Sequence, residues 1–152
     1  HVLDELSLWS VEPARLALEI SEDALMEHVV ELGPGLKNLR EHGIRIVLDD
    51  CGAGQTSLPR FRDLPIDCIK LDRQLVASVL DDPFDAHVTR MIIEFAHFLG
   101  LEVVAKGVES TLVGERLREL GCDQLQGFGI SPPLSVEAFA EWRRMREVMR
   151  DR

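Results

Sequence analysis

The chain has 152 residues, 27 acidic against 17 basic, a formal net charge of −10, and 45% hydrophobic and 29% charged residues, the composition of one globular domain with room for a core. An isoelectric point near 4.9 excludes a general electrostatic grip on nucleic acid, which needs a basic surface. No run approaches the roughly eighteen apolar residues of a membrane span, there is no amino-terminal signal pattern, and the expected location is the cytoplasm.

Residues 2–9 read as the end of a helix, so the chain is expected to be part of a longer domain. Residues 16–20, LALEI, read as a short strand carrying one charge, Glu19. Ser21 is then placed to cap a helix with Glu22 and Asp23 in its first turn, where acids complement the helix dipole. That helix is expected to break near Gly33-Pro34-Gly35, resume to His42 and end at Gly43. Residues 45–51 follow: Ile46, Val47 and Leu48 are apolar without alternation, the habit of a strand buried on both faces in a parallel sheet. The strand runs into Asp49 and Asp50 and a loop containing Gly52 and Gly54. On its own this acid pair reads as a polar turn rather than a site.

A helical turn is expected over residues 59–62 and a strand over 67–72, DCIKLD. A helix covers 73–80, and Asp81-Asp82-Pro83 opens a longer one. In the longer helix Val88, Met91, Ile92, Phe95 and Leu99 share a face at helical spacing and are expected in the core. Residues 102–107 are strand, 110–120 helix, 122–128 strand, and Ser135 caps a last helix. The three cysteines, Cys51, Cys68 and Cys122, lack CxxC spacing and read as buried small hydrophobes rather than a zinc knuckle or disulfide framework.

Strand and helix thus alternate five times with short connections, which implies parallel strands joined by right-handed crossovers. Two α/β architectures fit: an open doubly wound sheet, or part of a TIM-type (β/α)8 barrel. No GxGxxG or Walker sequence follows a strand. A complete barrel needs about 250 residues, so the chain would hold the last five βα units.

The ionisable and amide side chains fall toward the carboxyl ends of otherwise apolar strands: Glu19, Asp49 and Asp50, Lys70 and Asp72, Lys106, and Gln126. A buried charge is costly unless paired or metal-bound, and in parallel α/β folds this end is where ligands bind. Carboxylates from neighbouring strands, with no histidine among them, suit Mg²⁺, Mn²⁺ or Ca²⁺ rather than zinc. His42, His87 and His97 fall on helices and are not expected to be ligands. With hard cations the matching substrate group is phosphate, whose in-line displacement two such ions can clamp.

These residues also carry a resemblance. LEISE at 18–22 is similar to the LEITE motif of EAL domains, the phosphodiesterases and receptors of the bacterial second messenger cyclic di-GMP. DDCGAGQTSL at 49–58 resembles DDFGTGYSSL, IKLDR at 69–73 resembles IKIDR, VVAKGVES at 103–110 resembles VVAEGVET, and Gln126-Gly127 followed by Pro132-Pro133 completes the series. The resemblance implies that Glu19, Asp49 and Asp50 are metal ligands for Mg²⁺ or Mn²⁺, with Ca²⁺ as a possible inhibitor. It implies that Lys70 holds the nucleophilic water or a phosphate oxygen with Asp72 supporting it, and that Glu22, Glu109 and Gln126 border the ligand. The loop at residues 51–57 resembles the segment that orders the metal site and lies near the family's dimer interface, so a homodimer is an expected assembly.

Two departures bear on function. The glutamate that opens the family's EGVE, its usual general base, is Lys106 here, and a lysine among carboxylates is held protonated and cannot accept a proton. The 152 residues also hold only the last five units, so the family's first three strands, with the signature EAL glutamate and a metal-binding asparagine, are expected from an upstream segment or a partner chain. A sensory or GGDEF domain is expected to accompany them. Three functions follow as expectations: a catalytically impaired EAL module that binds cyclic di-GMP or regulates a larger protein, an active metal-dependent phosphodiesterase, and a ligand-free interaction scaffold in which Lys106 pairs with the acids and no metal binds.

Overall fold

The strand and helix alternation is present through residues 1–52 and 61–150, which the computed structural model describes. The strands are β1 Ala17–Ser21, β2 Arg45–Cys51, β3 Cys68–Leu71, β4 Glu102–Lys106 and β5 Gln124–Gln126. They form one sheet in the order β1-β2-β3-β4-β5, each neighbouring pair parallel. Because spatial order repeats chain order without reversal, right-handed crossovers all return over the same face. That is the winding of a barrel wall, and it excludes the doubly wound alternative, which needs a reversal.

The helices are α1 Val2–Leu8, α2 Glu22–Glu27, α3 Val29–Glu41, α4 Arg73–Ser78, α5 Pro83–Phe98, α6 Thr111–Glu119 and α7 Val136–Arg150, with a 3₁₀ turn at Pro13–Arg15. The core contains Leu25, Ile44, Ile46, Leu48, Ile69, Leu71, Ile93, Val103 and Leu117, and Cys51, Cys68 and Cys122 are buried and free. Ser21 caps α2 by accepting from the Ala24 N–H at 3.4 Å, and Asp82 caps α5 by accepting from Phe84 at 2.8 Å.

Four expectations are corrected. The break in the second helical segment falls at His28, between α2 and α3, and Pro34 lies inside α3. A single proline removes one i to i−4 bond, the carbonyl it frees belongs to the exposed Val30, and Leu36 and Leu39 still pack on the core. In α5 the buried positions are Ala86, Thr89, Ile93 and Ala96, whereas Met91 is exposed. Small alanines let the helix approach the sheet, which leaves the larger Ile92, Phe95 and Leu99 only partly covered. The last strand is three residues rather than seven, because the backbone turns at Gly127, whose carbonyl accepts from Ile130 and Ser131 at 3.0 and 3.1 Å. The first strand begins at Ala17, one residue late. The expected turn over 59–62 falls largely outside the described residues.

Two aspartates just ahead of strands, neither singled out by the sequence pattern, tie the sheet's amino-terminal end together. Asp67 accepts from the Ile46 N–H at 2.9 Å and pairs with Arg40 at 2.7 Å. Asp123 repeats the device two crossovers on, accepting from Val103 at 2.8 Å and pairing with His97 at 2.8 Å. Burial alone would raise the Asp123 carboxyl, but the His97 hydrogen bond and the Val103 N–H hold it below the ordinary carboxylate range.

Candidate functional site

Side chains alternate between the two faces of a strand. One face of this sheet therefore presents Glu19 from β1, Val47 and Asp49 from β2, Lys70 from β3, Val104 and Lys106 from β4, and Gln126 from β5. By register Glu19 lies opposite Val47, Lys70 opposite Val104 and Lys106 opposite Gln126, so the polar members step along the strands from β1 to β4. Each lysine reaches over one intervening strand. Lys70 passes β2 and donates to both Glu19 carboxylate oxygens at 2.8 and 2.9 Å. Lys106 passes β3 and donates to Asp49 Oδ1 at 2.8 Å and to Asp50 Oδ1. Adjacent strands lie about 4.8 Å apart, so spanning two of them takes a side chain of lysine's length.

Strict alternation would send Asp50 to the opposite face from Asp49. The pairing of β2 with β3 shifts between Leu48 and Cys51, and Asp50 takes a left-handed backbone conformation at φ +62°. A bulge re-aims side chains in this way, and aspartate is among the few non-glycine residues that tolerate the conformation. Its consequence is that two successive carboxylates converge on one amine.

Burial works against the charge on both partners of this contact, and the contact overcomes it. The Asp49 carboxyl is held below its ordinary range by the Lys106 hydrogen bond, the Asp50 N–H and the nearby ammonium charges. The Lys106 ammonium is held above the ordinary lysine value by its hydrogen bonds to Asp49 and Asp50. Lys106 is thus a cation at neutral pH.

The remaining site residues read from the sequence are placed as follows. Gln126 lines the same face as Glu19 and Lys70. Asp72 caps α4 by accepting from the Gln74 N–H at 2.8 Å rather than bonding to Lys70. Glu109 pairs with Arg73 and is exposed. Glu22 is buried behind the acid pair and accepts from the Gly52 N–H at 3.3 Å, fixing the start of the loop that follows β2. The loop at 53–57 lies outside the described residues. Arg45, Glu102 and Gln124, not singled out in the sequence, form a polar cluster at the other end of the strands: Arg45 pairs with Glu102, and Gln124 donates to it at 2.9 Å.

Burial pushes the Glu22 carboxyl up, with the Gly52 hydrogen bond opposing. A carboxyl raised on folding binds its proton more tightly in the folded state, so its contribution falls as pH rises past the ordinary glutamate range. Glu22→Gln keeps an oxygen for Gly52 and removes this cost, and its melting temperature at pH 7 is expected to equal or exceed that of the parent.

The EAL domain family model matches residues 1–133. The chain belongs to the EAL domain family. It is 40% identical over 144 residues to the cyclic di-GMP phosphodiesterase NbdA of Pseudomonas aeruginosa, an alignment covering 95% of this chain and 18% of that protein. The solved MucR phosphodiesterase of the same organism, in complex with cyclic di-GMP, superposes with a TM-score of 0.84 at 34% identity, over 90% of this chain and 55% of that one. Klebsiella pneumoniae BlrP1, solved with manganese and cyclic di-GMP, superposes with a TM-score of 0.81 at 28% identity over 87% of this chain and 34% of that one. The chain therefore spans a part of the EAL barrel, and a small part of the multidomain relative NbdA.

Manganese in an EAL neighbour makes the fit of a divalent ion here a question about the donor set. Carboxylate oxygens are the right donors for such an ion. In this chain, however, Glu19 is chelated by Lys70, and Asp49 and Asp50 converge on Lys106. Among the described residues no group of three or more His, Cys, Asp and Glu side chains is gathered as a metal site. The Lys106 ammonium already puts a positive charge where the two aspartates converge. The residues at Asp49 and Asp50 do not fit a divalent ion beside that ammonium.

Proposed function

We propose that this chain is the carboxyl-terminal part of an EAL domain that binds cyclic di-GMP and regulates a larger signalling protein without hydrolysing the nucleotide. The observation that supports this reading is the Lys106 ammonium on Asp49 and Asp50. Hydrolysis needs a group with a free lone pair to take a proton from water, and the residue standing where the family has its base has none. Lys70 and Lys106, on the same face as Gln126, each give two N–H groups to carboxylates and keep a third for a phosphate oxygen. A sensory or GGDEF domain upstream would supply the input, in the cytoplasm. Among the described residues no helix is long and apolar enough to cross a membrane.

Calorimetry with cyclic di-GMP on the full-length protein tests it. Saturable binding with a heat that does not decay into turnover is expected. Absence of binding up to high micromolar nucleotide would sink the receptor reading and favour the ligand-free scaffold, for which the complete pairing of Glu19, Asp49 and Asp50 with lysines is the specific support.

A further inference from the structure

We propose that Lys106 is a tethered substitute for a divalent cation: its ammonium occupies the point on which Asp49 and Asp50 converge, so this EAL site takes up neither Mg²⁺ nor Mn²⁺ and keeps its shape without them. Three observations carry the proposal. The bulge and the left-handed Asp50 have no use in pairing β2 with β3, since they interrupt that register. What they achieve is to bring two carboxylates to one positive centre, which like charges side by side require. The centre they meet is covalently attached to β4 and four-fifths buried, with a side-chain exposure of 22%. An ion arriving from solvent would have to displace it against its own charge.

The third observation is that the substitution is complete. Glu19, the third carboxylate at this end of the face, has both oxygens on Lys70. Three carboxylates face two ammoniums, leaving one net negative charge where an unpaired set would carry three. A lysine cannot polarise water as a metal ion does, so the exchange keeps the electrostatic cohesion of the site and gives up Lewis-acid chemistry. The inference rests on the same assignment of this end of the sheet as the nucleotide reading above, but its test needs no nucleotide.

The full chain is titrated with Mn²⁺ to millimolar concentration, with the free-ion paramagnetic resonance signal and the melting temperature as readouts. The parent is expected to leave the Mn²⁺ signal undiminished and to melt at the same temperature in Mn²⁺ and in EDTA. Lys106→Glu is expected to bind Mn²⁺ and to melt several degrees higher with the ion than without it, and adding Asp49→Asn is expected to abolish both effects. If Lys106→Glu does not fold, Lys106→Gln carries the comparison, since it removes the charge, with weaker but measurable Mn²⁺ uptake expected. Stoichiometric Mn²⁺ binding by the parent would overturn the proposal, as would a folded Lys106 variant that ignores the ion. Failure of cyclic di-GMP to bind a parent that also ignores Mn²⁺ removes the receptor reading alone. Cyclic di-GMP binding that disappears in EDTA removes this one alone.

Discussion

Lys106→Met is expected to cost the fold about 2 kcal/mol at pH 7. Removing one partner of a fully buried ion pair costs roughly 3–5 kcal/mol. Lys106 and Asp49 keep 22% and 25% of their side-chain exposure and Asp50 keeps 49%, so water recovers part of that loss. For a chain of this length the melting temperature should fall by roughly 4–8 °C. The damage lies in the two acids left facing each other. Adding Asp49→Asn and Asp50→Asn to Lys106→Met is therefore expected to restore most of the stability, although the triple variant has lost more polar contacts than the single one.

The same contact sets a pH window. Asp49 has a lowered folded value, so its contribution is present above the ordinary carboxylate range and lost as pH falls through that lowered value. Lys106 has a raised folded value, so its contribution is present below the ordinary lysine range and lost as pH rises through the raised value. The stability difference between the parent and Lys106→Met should be flat between about pH 5 and pH 10 and shrink beyond both limits. Urea denaturation across that range measures it. A difference that changes steadily through neutral pH would assign the effect to other groups.

Gly127→Ala is expected to cost about 3 kcal/mol or more, at the upper end of overpacking. The backbone after β5 is laced to the backbone after β4: Val108 donates to the Gln126 carbonyl at 3.0 Å, and Gly129 donates to the Val108 carbonyl at 2.8 Å. A Cβ on Gly127 would overlap the backbone N, C and O of Val108, which is fully buried and cannot retreat. The substitution should therefore detach β5 and carry Gln126 away from Lys106, its register partner. Gly33 and Gly35 provide the contrast, because they lie inside α3 and a Cβ there meets nothing within 4 Å. Alanine at either is expected to be neutral or to stabilise by about 0.5–1 kcal/mol. Denaturant midpoints of the three variants check the ordering.

Much of this architecture was legible in local chemistry. Apolar runs with a charged or amide residue toward the carboxyl end marked the strands, Ser21 and Asp82 marked helix starts, and the even alternation implied parallel pairing. Distinguishing a barrel wall from an open sheet required the strand order, which depends on crossovers that no local pattern encodes. The misread break at Gly33-Pro34-Gly35 shows propensity yielding to the burial of Leu36 and Leu39. The misread face of α5 shows that periodicity locates a stripe only to within a residue, because small alanines at Ala86 and Ala96 count little in a hydrophobic pattern yet decide which side lies closest to the sheet. In the site, Glu19, Asp49, Lys70 and Lys106 share a face because alternation puts them there. Asp50 joins them through a bulge, a backbone event that the pair of letters DD does not reveal. Asp67 and Asp123 read in the sequence as members of the strands over 67–72 and 122–128, with no role of their own. Only the fold shows each one bonded to a neighbouring strand's N–H.

We propose that an EAL site with its ammonium on Asp49 and Asp50 does not hydrolyse cyclic di-GMP. Incubation of the full-length protein with cyclic di-GMP and Mn²⁺, followed by chromatographic separation of the linear dinucleotide, measures this directly. The account predicts no linear product above a protein-free control. Product that accumulates with the parent and is lost in Asp49→Asn would contradict it.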